Sequence, residues 1–211
     1  TVSQNAQQVI SKALQSTGIE HFGFVHLGRP LSLEIYRDWL REGCHGDMVY
    51  LQRHEAIKAD HKRFMPSAKS AVVIAYTYWP HPKQNKPLAS LKIAKYAQGE
   101  DYHSWLKTKL DDVIYQLKSL FPKEEFVAAT DSAPILERDL AHQAGLGWFG
   151  KNSCLIHQKR GSYFFIAEIY TSLILDPLTK FLPPDMCGTR SRCIDACPTE
   201  AIRANRTLDA N

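Results

Sequence analysis

Residues 185–202 read D-M-C-G-T-R-S-R-C-I-D-A-C-P-T-E-A-I, and no other stretch limits the chemistry of this chain so narrowly. Cys193, three residues, Cys197 and then Pro198 reproduce the second half of the iron–sulfur run C-x2-C-x2-C-x3-C-P. Cys187 stands where the first cysteine of that run belongs. Thiolates at this spacing let a loop wrap a small cluster, and Pro198 suits the first turn of a short helix leading away from it. The second cysteine position is filled by Arg190, whose permanent charge forbids iron ligation. The fourth cysteine of such a run serves a partner cluster, and no partner run follows before Asn211, so the sequence reads as cut from a longer protein. Two other readings compete. A structural zinc site ordinarily uses two cysteine pairs, and only one is present here. Free thiols are the other.

Five cysteines, three of them in this run, suit a reducing compartment better than a disulfide scaffold. An apolar content of 44% with 23% charged residues predicts a real core, and a net charge of +4 permits a nucleic-acid partner without demanding one. No apolar run approaches the roughly 20 residues that span a bilayer. Residues 1–17 show an amphipathic polar helix pattern, not a signal peptide. The expectation is a soluble cytoplasmic protein.

Along the chain, helices are predicted over 4–16, 31–42 and 102–121, the last with Leu106, Leu110, Val113, Ile114 and Leu117 as its apolar stripe. A short helix follows Gly46-Asp47, and the charged residues 53–62 read as a solvated helix face. Strands are predicted over 21–27, 70–78 and 126–130; the second, β-branched and aromatic, reads as central and covered on both faces. Pro80, Pro82 and Pro87 enforce a loop. A helix with Ser132 as N-cap and Pro134 in its first turn follows Asp131 and stops at Gly145. Residues 155–157 and 163–173 read as a hairpin turning at Gly161, and the proline-rich residues 177–184 as a boundary. The fold class expected is α/β (α+β), a mixed-sheet sandwich over residues 1–178 with an incomplete ferredoxin-like segment over 179–211.

A cluster behind an α/β domain implies that the domain holds something to be reduced, yet neither G-x-G-x-x-G at a first strand nor a P-loop occurs. Asp131, at a strand's C-terminal end near the glycine loop G-L-G-W-F-G-K-N-S, is the best single acid, although a turn or capping aspartate fits equally. Asp101 can be a simple helix cap, Glu137 and Arg138 no more than a surface pair, and His103 is uninformative alone. Cys44 and Cys154 read as buried packing residues.

K-Y-A-Q-G-E-D-Y-H (95–103), T-D-S-A-P-I-L-E-R (130–138), A-G-L-G-W-F-G-K-N-S (144–153) and the cysteine run, in this order, resemble the epoxyqueuosine reductases. These are cobalamin-dependent iron–sulfur enzymes of tRNA queuosine modification. Reductive dehalogenases share the plan, but D-S-A-P-I-L-E-R is more similar to the queuosine branch. The resemblance implies conversion of a cyclopentane epoxide at a tRNA wobble base to an alkene with loss of water. Electrons would come from a donor such as flavodoxin or ferredoxin through 4Fe-4S clusters to cobalamin. It also implies Asp131 as proton donor, held protonated by burial, with Asp101 and Arg138 facing the substrate base. Cobalamin would lie against Lys58, Ala94, Asp131, Asn152, Ser153 and Leu155. Cys187 and Cys193 would ligate a first cluster and Cys197 a second, in a monomer. Because of Arg190, intact clusters and turnover with a biological reductant are not expected. The rivals are a cobalamin-binding fragment without turnover, and a zinc- or thiol-containing nucleic-acid binder suggested by Arg190, Arg192, Arg203 and Arg206, a cluster that reads more simply as a solvated basic face.

Overall fold

Phe164–Thr171 is the strand on which the domain is built. The computed structural model describes residues 2–78 and 93–211, so the expected proline loop lies outside the described residues. In chain order the elements are α1 (Val2–Ser16), β1 (Phe22–His26), α2 (Leu33–Arg41), α3 (Tyr50–Arg53), α4 (Glu55–Ala59), α5 (His61–Phe64) and β2 (Ser70–Thr77). A 3-10 turn (Lys95–Ala97), α6 (Tyr102–Leu120), β3 (Phe126–Thr130), α7 (Glu137–Gln143), β4 (Trp148–Phe149), β5 (Leu155–Ile156), β6 (Phe164–Thr171) and α8 (Arg192–Asp195) follow. The main sheet has the order β1-β2-β6-β3.

Every pair in it is antiparallel, which corrects the mixed sheet expected from sequence. The expected hairpin also differs. The turn at Gly161 forms, with φ +65°, but β5 pairs with β4 and β6 runs between β2 and β3. The sequence had both faces of residues 70–78 covered, and the packing agrees. Val72 and Ile74 join Phe24, Ala167 and Ile169 beneath α1 and α6, with all five residues of the α6 stripe buried. Ala71, Val73 and Ala75 face the other way with Tyr170, under Leu140, Ala141 and Ala144.

The register fixes what shares a rim. Thr77 of β2 stands opposite Phe164, the start of β6, while Thr130, the end of β3, stands opposite Ala167. β1 begins at Phe22 opposite Ile74. The ends of β2 and β3 and the starts of β1 and β6 therefore lie along one rim, and Asp131 is the first residue beyond it.

Two expectations about helices fail for physical reasons. Residues 53–62 are not a solvated face: α4 and α5 turn Lys58 and His61 inward, leaving 9% and 4% of each exposed. The helix after Asp131 starts only at Glu137, and Ser132 is an exposed turn residue that caps nothing. Its anchoring is instead tertiary. Asp139, 1% exposed, accepts from the backbone N–H groups of Leu31 (3.2 Å) and Ser32 (2.7 Å) and from Gln143 Nε2 (2.6 Å), binding α7 to the start of α2.

Residues 185–211 fold back on this body. Lys151 Nζ donates to the carbonyls of Gly188 (2.8 Å) and Arg190 (3.0 Å), Trp39 Nε1 donates to the Leu208 carbonyl (2.6 Å), and Arg206 reaches Phe149 O and Asp185. Arg203 pairs with Glu42, so Arg203 and Arg206 are tied down and not part of a free basic face. No helix follows Pro198; α8 precedes it. Among the described residues no helix is long and apolar enough to cross a membrane.

Asp139→Ala should lower unfolding stability by about 1–3 kcal/mol in a urea titration, since it removes the acceptor of two part-buried backbone N–H groups. A loss below about 0.5 kcal/mol would mean that the Asp139 bridge does not anchor α7.

Candidate active site at the rim of the sheet

Three helices, α4, α6 and α7, and the residue after β3 deliver charged side chains to this rim. Asp101 caps α6, accepting from the His103 N–H at 3.0 Å. Its carboxylate also takes His103 Nδ1 at 2.8 Å, while His103 Nε2 lies 3.2 Å from Asp131 Oδ2. A ring whose two nitrogens both face carboxylate acceptors is bound as the imidazolium. The neighbouring carboxylates accordingly raise His103 above its ordinary value, and the ring holds Asp101 below the usual carboxylate range. His103 was uninformative in the sequence; only its D-Y-H position, two residues past an N-cap, could have singled it out.

Asp131 is not buried, contrary to expectation, because the loop before α7 lifts it off the sheet; its side chain is 63% exposed. The enclosed acid is Glu137, at the start of α7. Its Oε1 is buried without a hydrogen-bond partner, and burial together with the nearby Asp131 charge raises the carboxyl to about 8. Lys58 and Arg138 lie near enough to oppose that rise. Glu137 is therefore no surface acid, whereas Arg138 is exposed and bonds Ser153, not Glu137.

Lys58 Nζ donates to the Ile135 carbonyl at 2.8 Å and sits 5.6 Å from the Tyr36 ring centre, and burial lowers its proton affinity. Arg138 Nη1 donates to both the Ser153 carbonyl and Ser153 Oγ, the latter at 2.7 Å. Ser153 holds a left-handed φ of 66°, which turns its carbonyl toward that guanidinium. Asp131, Glu137, Lys58, Arg138 and Ser153 thus form one neighbourhood. Tyr102 closes one side. Its hydroxyl senses the Asp131 charge, its ring stacks on Phe165 at 3.8 Å, and burial lifts the hydroxyl to about 12.

The remaining expected residues behave differently. Ala94 is exposed and leads into the 3-10 turn. Asn152 Oδ1 accepts from the Cys154 N–H (3.2 Å), and the Leu155 side chain is core, so any ligand contact there is through backbone. The glycine loop serves its own hairpin: a Cβ on Gly147 would lie 2.4 Å from the Ile156 carbonyl oxygen across β4 and β5. Cys44 is buried as expected, but Cys154 is exposed.

Along the same rim, on the β1 side, lies a cleft of about 1040 Å³ lined by His21, Thr77, Trp148, His157, Arg160 and Tyr163 among others. It includes none of the expected cofactor residues. Its size suits a large ligand. Trp148 Nε1 and His21 Nε2 are buried without partners, which fits a ligand rich in hydrogen-bond acceptors, as a corrinoid with amide side chains is. The cysteines do not fit a cluster in the same way. Cys187, Cys193 and Cys197 are each partly exposed, and among the described residues no group of three or more His, Cys, Asp or Glu side chains is gathered to hold a metal ion.

In an NMR pH titration His103 should titrate above 6.5, and Asp101→Asn should bring it down. Because the folded value is raised, the ion pair stabilises the fold below 6.5 and is lost as pH climbs through the folded value. A wild-type value below 6.5 would contradict the bridged imidazolium.

A family profile described as "Epoxyqueuosine reductase QueG, DUF1730" matches residues 58–132. Over 212 residues the chain is 38% identical to the epoxyqueuosine reductase of Cyclobacterium marinum, covering 97% of this chain and 66% of that protein. A crystal structure of epoxyqueuosine reductase with a tRNA-Tyr epoxyqueuosine-modified stem loop superposes with TM-score 0.84 at 29% identity, over 100% of this chain and 56% of that one. The Bacillus subtilis epoxyqueuosine reductase, solved with a catalytic aspartate loop swung out of the active site, gives 0.80 at 28% identity, over 100% and 56%. The chain spans roughly half to two thirds of the length of the curated relatives it matches. Similarity along nearly all of its length, in sequence and in backbone alike, makes the chain a member of the epoxyqueuosine reductase family.

Proposed function

We propose that this chain carries the catalytic half of a reductase that converts epoxyqueuosine to queuosine at the wobble position of a tRNA anticodon. In this reading residues 1–178 hold cofactor and substrate, and residues 179–211 begin an electron-relay segment. The observation that carries it is the Asp101–His103–Asp131 bridge at the sheet rim, next to an enclosed acid. Opening an epoxide leaves a developing alkoxide, which needs a positioned proton. Asp131 is exposed toward solvent where a substrate can approach, and His103 orients its carboxyl. Asp101 and Arg138, on either side, are suited to hydrogen-bond a nucleobase edge.

Lys58, Asp131, Ser153 and the backbone around Asn152 and Leu155 would hold cobalamin, which when bound supplies the reducing centre that attacks the epoxide. Ala94 would contribute by its small size alone. Buried Lys58 gives a cation beside that face, and the unpartnered Trp148 Nε1 and His21 Nε2 give donors along the rim. No step is assigned to iron–sulfur clusters: Arg190 stands at a ligand position of this run, which leaves Cys187 and Cys193 for a first cluster and Cys197 for a second. Its partners would be a tRNA anticodon loop and, in the cytoplasm, a low-potential donor such as flavodoxin or ferredoxin. Arg190 in a ligand position favours one second reading, a cobalamin-binding chain that turns over only with a chemical reductant.

The test supplies cobalamin, titanium(III) citrate and an epoxyqueuosine-modified stem loop, and follows loss of one oxygen atom by mass spectrometry. Wild type should convert the stem loop and Asp131→Asn should fall at least about 100-fold. Equal rates would remove Asp131 from the chemistry. Iron and sulfide analysis should find fewer than two 4Fe-4S clusters per chain, and two full clusters would overturn this reading of Arg190.

A further inference from the structure

One buried group has no part in this scheme. Glu168, at the middle of β6, is wholly enclosed, and neither carboxyl oxygen has a hydrogen-bond partner. In register it faces Val73 on one side and Ala129 on the other, so its side chain shares the sheet face of Ala129, the face that α7 covers. Glu137, the first residue of α7, is its charged neighbour and likewise leaves Oε1 enclosed and unpartnered. Two carboxyls that sense each other away from water do not both ionise. Burial keeps Glu168 protonated, and burial with the nearby Asp131 charge keeps a proton on Glu137 as well, the member of the pair that senses Asp131.

The chemistry under the proposed function needs such a proton. Converting an epoxide to an alkene breaks both C–O bonds, forms one C=C bond, and consumes two electrons and two protons as the oxygen leaves as water. Asp131 carries one proton at a time. We infer that Glu137, backed by Glu168, passes the second proton to the Asp131 carboxylate, acting through that residue and never on the substrate. The transfer is Glu137–COOH plus Asp131–COO⁻ to Glu137–COO⁻ plus Asp131–COOH. Lys58 from α4 and Arg138 from α7 then face the new Glu137 carboxylate and stabilise it, while solvent returns the proton between turnovers. Around the pair stand Lys58, Arg138, Asp131, His103, Tyr102 and Tyr170; the Tyr170 hydroxyl is 2.8 Å from His61 Nδ1, whose protonation burial disfavours. The inference rests on the proposed reaction for the proton's destination, but not for its storage.

Infrared titration of the chain tests storage without cofactor or substrate. Wild type should show a protonated-carboxyl absorption at pH 7 that fades as pH rises through about 8. Glu137→Gln should abolish that component, and Glu168→Gln should leave it in place. A fading component that survives in Glu137→Gln overturns the inference. Under the turnover conditions above, Glu137→Gln should lower the rate at saturating substrate at least about tenfold, with KM unchanged, and should lose the alkaline limb of the pH profile. An unchanged limb in Glu137→Gln overturns the relay even where wild type is active. A wild type that shows the infrared component and converts no epoxide overturns instead the reading of function, and with it the proton's destination.

Discussion

A carboxyl enclosed on the central strand, with nothing to bond to, is the constraint around which this domain is arranged. Glu168 sits where the two covered faces of β6 demand apolar side chains, and all its neighbours in register are apolar. Burial alone forces it to stay protonated, and the nearby Glu137 adds to that. The consequence for stability has a definite sign. The folded chain holds protons that the unfolded chain releases, so Glu137 makes the fold less stable as pH rises from its ordinary 4.5 to about 8. A fold selected for stability alone would place glutamine or leucine there. A pair of acids kept at this cost is what a proton-consuming reaction needs.

The antiparallel order β1-β2-β6-β3 turns that interior acid into part of a surface site. It puts the ends of β2 and β3 on one rim with the starts of β1 and β6, so that α4, α6 and α7 each deliver one or two charged side chains to the same place. Lys58 and Arg138 are fixed by carbonyl acceptors from Ile135 and Ser153, not by the acids, and so remain available as counter-charges. His103 ties the exposed Asp131 to Asp101. Outer charge is thus held by an imidazolium and inner charge by burial, two different devices a few residues apart.

The elements and the location of Asp131 were legible in the sequence because they depend on local pattern. The α6 stripe, the doubly covered β2 and the short β3 that ends at Asp131 all follow from periodicity and β-branched residues. What was not legible depends on partners far along the chain. Glu168 lies within an apparent hydrophobic strand, and nothing local says that its carboxyl lacks a partner. Lys58 and His61 lie in a polar run that reads as solvated, and only the docking of α4 and α5 against Ile135 and Tyr170 turns them inward. The sheet was expected to be mixed because residues 155–157 and 163–173 look like a hairpin, whereas β4 competes successfully for β5. The late start of α7 had the same kind of cause: Asp139 anchors the helix through Leu31 and Ser32, so a local cap at Ser132 is unnecessary.

The claim on which the functional account turns is that this rim accepts cobalamin. The most direct measurement is an anaerobic ultraviolet–visible titration of the purified chain with cobalamin, before and after a low-potential reductant. The account predicts a saturable shift to the base-off spectrum, weakened by Lys58→Ala, followed by reduction to cobalt(I). A spectrum identical to that of free cobalamin at every protein concentration would contradict it.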